Sequence, residues 1–247
     1  MPVLLIAVGL TVLGSLGGLL LASTLLLFND RVRIKLVAGL VSYAVGTLLG
    51  VALLELVPQA LATLAATRVL GTLLGGILAF FILEKLVIWR HCHTEACAAH
   101  STAAPLILIG DAFHNFVDGA VVAAAVVSSL ALGISTALAV AAHEIPQELG
   151  DFAILLGAGY SRRRALMLNV LSGLAAVVGA LTALVALSVI PDLLPYVLSI
   201  ASASFLCIAM ADLIPDLHRG GIDALALRQI LLVLAGIATV VVFTGRL

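Results

Sequence analysis

Charged side chains are scarce in this sequence of 247 residues, and their scarcity excludes a water-soluble protein. Only 10% of the residues are charged, whereas a soluble domain carries about 25%. Hydrophobic residues make up 63%, so the chain cannot cover itself with a solvated surface. The net charge of −1 says nothing about partners, and we expect no nucleic acid partner.

Cysteine is also rare, and the three cysteines do not indicate a disulfide framework. Cys92 and Cys97 fall in a loop predicted to face the cytosol, where thiols remain reduced. Long polar connections are missing as well, so we expect no separate soluble domain. The first apolar segment lacks a preceding basic residue and an obvious cleavage site, so we interpret it as a membrane span and not as a removed signal peptide.

Long apolar stretches are abundant instead. A spanning helix needs about 20 mostly apolar residues, and only helices or closed barrels satisfy the backbone in lipid. The stretches are too long for barrel strands and do not alternate strictly. We therefore predict an all-α polytopic membrane protein, with residues 1–247 forming a single transmembrane domain. Its eight spans cover about 2–28, 35–57, 68–89, 105–129, 131–158, 164–190, 193–215 and 225–245.

The basic residues predict the orientation of these spans. Ten of the twelve Lys and Arg residues fall on one side of the predicted topology, and only Arg68 and Arg246 fall on the other. Because cytosolic loops are enriched in Lys and Arg, both termini are expected outside the cytosol. A compact chain without targeting segments fits the inner membrane of a prokaryotic cell, so the lipid bilayer is an expected partner.

Two spans end with a similar motif, which indicates an internal repeat. The second span ends with Glu-Leu-Val-Pro at 55–58, and the seventh ends with Asp-Leu-Ile-Pro at 212–215. In the predicted topology these helices run in opposite directions, as an inverted repeat requires. Spans 1–3 would then mirror spans 6–8, with spans 4 and 5 between them in a 3+2+3 arrangement.

Spans 4 and 5 contain the densest set of polar residues in the apolar part of the chain. These are Asp111, His114, Asn115, Asp118, His143, Glu144, Gln147, Glu148 and Asp151. Residues four apart share a helix face, which places His114 with Asp118 and His143 with Gln147. Imidazole with carboxylate suits zinc and other late divalent metals, whereas an all-oxygen shell would favour magnesium or calcium. A divalent cation would offset the cost of buried acids, so we favour a metal site over a structural network.

Two motifs in these spans resemble the fourth- and fifth-span signatures of the ZIP (Zrt/Irt-like) metal transporter family. They are HNFVDG at 114–119 and HEIPQELGDF at 143–152. The resemblance covers nearly the whole chain. It implies a 3+2+3 helix arrangement, a two-metal centre between spans 4 and 5, and metal uptake toward the cytosol. The metal ligands that it implies are His114, Asn115, Asp118, His143, Glu144 and Gln147.

Three positions depart from the pattern of that family. Many members have a third His where this chain has Gln147, so an amide replaces a nitrogen ligand. Some members place an acid in the sixth span, whereas residues 172–176 contain none, which favours one bound metal ion over two. The second span has Glu55 where members often have a His.

Further candidate ligands lie between spans 3 and 4. His91, Cys92, His93 and Cys97 fall in a His/Cys loop at 91–104, and both residue types bind zinc. Their spacing does not match a structural zinc finger. We interpret the segment as a flexible cytosolic loop that receives metal, and the alternative is a polar connector of chance composition.

Five acidic or histidine residues outside the implied ligand set are candidates for the metal path or for a secondary metal site. Glu55 could guide metal in from the outside, and Glu148 could line the path. Asp212, Asp216 and His218 could pass metal out at the cytosolic end of span 7. The alternative is that they are polar residues without a role in transport.

The sequence therefore predicts a carrier for Zn²⁺, or for a related ion such as Fe²⁺, Mn²⁺ or Cd²⁺, that works by alternating access. A zinc-dependent intramembrane hydrolase is one alternative, because His143-Glu144 begins like H-E-x-x-H. Gln147 stands at the fifth position of that motif, however, and Pro146 interrupts the helix. A metal sensor that does not transport is the other alternative. We expect divalent metal ions as partners and no enzyme activity, and a homodimer is left open.

Overall fold

A computed structural model describes residues 2–91, 99–217 and 224–245. Every regular element in these ranges is helical, which confirms the predicted all-α class. We number the eight main helices α1 to α8 in chain order. They are α1 (Pro2–Leu25), α2 (Asp30–Gly50), α3 (Ala66–His91), α4 (Ala99–Ser128), α5 (Leu130–Gly157), α6 (Arg162–Val189), α7 (Leu194–Cys207) and α8 (Ala224–Thr244).

Most of these helices are membrane spans by length and composition. Within the described residues, six helical stretches are long and apolar enough to cross a bilayer, and they correspond to α1, α2, α3, α6, α7 and α8. The other two helices, α4 and α5, are longer than 25 residues. They contain the polar residues of the predicted metal site, and those residues lower their mean hydropathy. The eight predicted spans therefore correspond to eight helices of a polytopic membrane protein.

Several helices begin earlier than the predicted spans. Asn29 accepts a hydrogen bond from the Val32 amide at 3.0 Å, so this cap starts α2 at Asp30. Ser161 caps α6 in the same way. The helix α4 begins at Ala99, ahead of the predicted span, because hydropathy marks only the part of a helix that suits lipid.

The helices α2 and α7 are each followed by a π-helical segment. A π-helical segment follows α2 at Val51–Leu56, and another follows α7 at Ile208–Leu213. Each segment ends just before the proline of the shared motif, Pro58 or Pro215. Proline has no N–H for the carbonyl four residues earlier, and a wider π turn accommodates it within a continuing helix. The short α-helical continuations are Val57–Leu61 and Ile214–Leu217.

The contacts between helices support the predicted inverted repeat. The helix α1 packs on α5, and α6 packs on α4. In the same way, α2 packs on α8, and α7 packs on α3. An inverted repeat relates α1 to α6, α2 to α7, α3 to α8 and α4 to α5. Under this relation the contact of α1 with α5 becomes that of α6 with α4. The contact of α2 with α8 becomes that of α7 with α3. With the paired π segments, this matches a 3+2+3 arrangement in which α4 and α5 lie between two groups of three helices.

Glycines allow the close contact between α4 and α6. Gly119 lies against the backbone of Ala176, and Gly179 lies against the backbone of Phe116. A side chain at either glycine would overlap backbone atoms of the other helix, so small residues are required here. This contact holds α6 close to α4, which carries four of the nine polar residues named above for spans 4 and 5.

Candidate metal centre

Four of the predicted ligands lie together between α4 and α5. They are His114, Asp118, His143 and Glu144, and one ligand atom from each lies within 4.8 Å of the others. Three of the side chains are at most 1% exposed, whereas His114 is 19% exposed. In residues 2–91, 99–217 and 224–245 this is the one group of at least three His, Cys, Asp or Glu residues with such an arrangement.

The distances between the ligand atoms suit a single zinc ion. His143 Nε2 is 2.9 Å from Asp118 Oδ2 and 3.1 Å from His114 Nε2. His114 Nε2 is 3.6 Å from Asp118 Oδ2 and 3.8 Å from Glu144 Oε1. Atoms bound tetrahedrally at about 2.0 Å from one zinc ion lie about 3.3 Å apart. Small movements would therefore allow all four groups to bind one ion.

The ring of His143 is held in the orientation that a metal ligand needs. Its Nδ1 lies 2.9 Å from the carbonyl oxygen of Ala139, one turn earlier in α5. A carbonyl only accepts, so Nδ1 carries a hydrogen, and Nε2 is directed at the cluster, where the neutral ring would offer a lone pair to a metal ion. The ring of Phe205 in α7 packs edge-on against it, with 6.1 Å between the ring centroids.

The carboxylate of Glu144 is enclosed, and its Oε1 lies 3.8 Å from His114 Nε2 and 3.9 Å from His143 Nε2. The residue is fully buried, and neither oxygen has a hydrogen-bond partner in the part of the chain that the structure describes. The helix α1 passes close behind it, since a Cβ atom on Gly18 would lie 2.9 Å from Glu144 Cβ. A buried carboxylate without a hydrogen bond is costly, and a bound cation would remove that cost.

Asp111 connects the two predicted amide ligands. Its Oδ1 accepts hydrogen bonds from Asn115 Nδ2 at 3.1 Å and from Gln147 Nε2 at 3.2 Å. Its Oδ2 accepts from the hydroxyl of Ser172 in α6. The Oδ1 atom of Asn115 accepts from the hydroxyl of Ser15 in α1 at 2.7 Å. Asp111 therefore holds the amide nitrogens of both Asn115 and Gln147.

Three polar residues of this region were not among the candidates predicted from the sequence. Ser15 and Ser172 carry no signal of their own, because serine is common in apolar helices and its contacts depend on packing. Asn169 of α6 is different, since it is fully buried and an amide in an apolar span usually marks a function. That signal was present in the sequence.

The remaining candidates are not part of the four-residue cluster. Glu55 is buried in the π segment after α2, and Asp212 is exposed in the π segment after α7. Glu148 is buried in α5, one turn beyond Glu144. Outside the described residues lie Cys92, His93, Cys97 and His218, together with the side chains of His91 and Asp216.

Known proteins with similar sequences share this region. The family described as ZIP Zinc transporter matches residues 89–244. The chain is 34% identical to zinc transporter ZIP13 of Pongo abelii over 220 residues, which are 83% of this chain and 66% of that protein. It is 48% identical to human zinc transporter ZIP4 over 114 residues, which are 46% of this chain and 18% of that protein. It is 39% identical to zinc transporter foi of Drosophila melanogaster over 117 residues, 47% of this chain and 16% of that protein.

The chain thus spans less than a fifth of ZIP4 and of foi, and 66% of ZIP13. The matched range 89–244 contains α4 to α8, with both motifs and all four residues of the cluster. The resemblance drawn from the two motifs is confirmed, and this chain belongs to the ZIP zinc transporter family.

Proposed function

We propose that this chain carries divalent transition-metal ions across the membrane, with Zn²⁺ as the preferred substrate. The buried cluster of two imidazoles and two carboxylates between α4 and α5 carries the proposal. The relatives are described as zinc transporters, and the matched range contains the cluster. Because imidazole nitrogen favours late divalent metals, Fe²⁺, Mn²⁺ and Cd²⁺ are secondary candidates.

In this proposal the four clustered side chains bind the ion directly. The carboxylates of Asp118 and Glu144 offset its charge, and the neutral imidazoles of His114 and His143 complete a four-ligand shell. Asn115 and Gln147 have a supporting role in this proposal, because Asp111 holds both amide nitrogens and the amide oxygen of Asn115 already accepts from Ser15. The absence of an acid at residues 172–176 of α6 favours one central ion over two.

Transport requires that the buried ligands become accessible from each side in turn. Alternating access satisfies this requirement if one group of helices moves relative to the other around the ion. We also propose that both termini face the outside and that metal enters the cytosol, through a prokaryotic inner membrane. The distribution of the basic residues supports this orientation, since ten of twelve fall on the other side of the predicted topology.

A carrier fits this site better than a hydrolase does. A catalytic zinc ion keeps one coordination position open for water, whereas four protein groups converge here. Gln147 occupies the position of the second His in H-E-x-x-H, and its amide donates to Asp111. We therefore infer that the chain is not an enzyme.

Zinc entry into liposomes that contain the purified chain tests the proposal. An internal fluorescent chelator should report entry well above that of protein-free vesicles. His114→Ala and His143→Ala should each reduce the rate by about 100-fold, because each removes a direct ligand. Asp192→Asn changes an exposed acid in the turn before α7 and should leave the rate unchanged. Wild-type protein that binds zinc without any flux would identify a sensor and refute the carrier.

A further inference from the structure

A second polar cluster lies between α5 and α6, next to the central one. Glu148 and Asp151 are three residues apart in α5 and therefore share a face. The side-chain amide of Asn169 in α6 faces the carboxylate of Glu148. These residues are 1%, 9% and 0% exposed, respectively. Two carboxylates and an amide are thus buried together.

The polar atoms of this second cluster lack hydrogen-bond partners among the described residues. They include both oxygens of Glu148, Oδ2 of Asp151 and both amide atoms of Asn169. Asn169 interacts with Glu148 between α5 and α6, but one amide cannot satisfy two carboxylates. The burial of this cluster is therefore costly without a ligand.

Among the described residues, the charged groups that act on Glu148 and Asp151 are acids. Glu148 interacts electrostatically with Asp111 and Asp151, and Asp151 interacts with Asp111. Glu144 of the central cluster also interacts with Glu148 and Asp151. A cation would relieve the repulsion among these carboxylates, and the acids of the two clusters are close enough to interact with one another.

The second cluster lies between the central cluster and the C-terminal end of α5. At about 1.5 Å per residue, Glu148 lies about 6 Å beyond Glu144 along the helix, and Asp151 lies about 10 Å beyond it. An apolar cluster that includes Phe152 and Leu155 follows. In the predicted orientation this end of α5 faces the cytosol.

We propose that Glu148, Asp151 and Asn169 form a second divalent-cation site that receives the ion as it leaves the central cluster. Its role in the transport path rests on the proposed function, whereas its ability to bind an ion does not. The site offers oxygen atoms alone, so it binds a late metal more weakly than a site with two imidazoles. A weaker second site allows the ion to leave toward the end of α5.

Ion binding by the full chain in detergent tests the proposal, with Mn²⁺ as the probe because it favours oxygen ligands. Electron paramagnetic resonance counts the free Mn²⁺ and so gives the number bound per chain. The starting variant carries His114→Ala, His143→Ala and Glu144→Gln, which removes the central site. Adding Glu148→Gln and Asp151→Asn should reduce the bound Mn²⁺ by one ion per chain. Ions held elsewhere, such as in the loop 91–104, cancel in this difference.

The controls make the outcome decisive. Asp192→Asn in the same starting variant should leave the count unchanged. If the variant with both acids replaced does not elute as folded protein, Asn169→Ala decides, since it should weaken binding of the same ion by about 10-fold. An equal count with and without the two acids, at free Mn²⁺ up to about 1 mM, would overturn the proposal.

The liposome assay separates this proposal from the proposed function. Wild-type protein without zinc flux, but with the one-ion difference, would refute transport and leave the second site standing. Flux without the one-ion difference would support transport and overturn the second site.

Discussion

The helix α5 carries two buried polar regions that differ in their ligand atoms and in their surroundings. The central region combines the imidazole of His143 with the carboxylate of Glu144, enclosed by Phe205 of α7 and by α1. The region of Glu148 and Asp151 offers oxygen atoms and faces α6. Nitrogen ligands favour late metals, whereas oxygen ligands discriminate less among divalent ions. One helix can therefore combine a selective site with a permissive one, and single substitutions should affect the two differently.

The largest difference in zinc affinity should appear between two matched substitutions, Asp118→Asn and Asp151→Asn. Asp118 Oδ2 lies 2.9 Å from His143 Nε2 and 3.6 Å from His114 Nε2, so its charge is central to the first site. Asp118→Asn should weaken tight zinc binding by about 100-fold, and Asp151→Asn by less than about 3-fold. Competition with a fluorescent chelator measures both affinities. Equal losses would show that the two regions form one site.

A second difference, in the rate of zinc flux, should appear between substitutions at two neighbouring glycines of α1, Gly17 and Gly18. A Cβ atom on Gly18 would lie 2.9 Å from Glu144 Cβ, whereas a Cβ atom on Gly17 would meet nothing within 4 Å. Gly18→Val should displace the Glu144 carboxylate and slow zinc flux by about 30-fold. Gly17→Val adds the same side chain without that contact and should keep a rate near that of the wild type. Equal rates for the two variants would show that α1 does not position Glu144.

The central region was easier to predict from the sequence than the second one. Helical spacing places His114 with Asp118 on one face, and the structure brings both to His143. Spacing also places Gln147 with His143, yet the amide of Gln147 donates to Asp111. A helical period determines which face a residue occupies, but the nearest acceptor on another helix determines where a flexible amide binds.

Features that depend on packing between distant segments were not predicted. The contacts of Ser15 and Ser172 with the site require α1 and α6 to lie against α4, and no local pattern indicates this. The π segments at Val51–Leu56 and Ile208–Leu213 were also missed, although each precedes a proline that the sequence shows. The eight helices could be predicted because hydropathy over about 20 residues is a local property.

A smaller loss of zinc affinity is expected from substitution of Asp111, which holds Asn115 and Gln147 without joining the four-residue cluster. Asp111→Ala should weaken zinc binding by about 10-fold, because it releases both amides. Ser172→Ala removes only one hydrogen bond to Asp111 and should have a smaller effect. With Co²⁺ in place of zinc, the visible spectrum of Asp111→Ala should keep the wild-type shape, since the direct ligands remain. A changed spectrum would make Asp111 a ligand itself.

The smallest change in zinc affinity is expected for Gln147→His, and it should be an increase where the other variants show a decrease. Gln147 Nε2 donates to Asp111 Oδ1 at 3.2 Å, and an imidazole could donate one N–H to the same oxygen. Its other nitrogen would then be available beside His143, one turn earlier on the same face. This variant should bind zinc about 3-fold more tightly, and the tighter binding should slow release, so flux at saturating zinc should not rise. Gln147→Ala is the control without a donor, and weaker zinc binding in both variants would show that the amide of Gln147 is itself part of the central site.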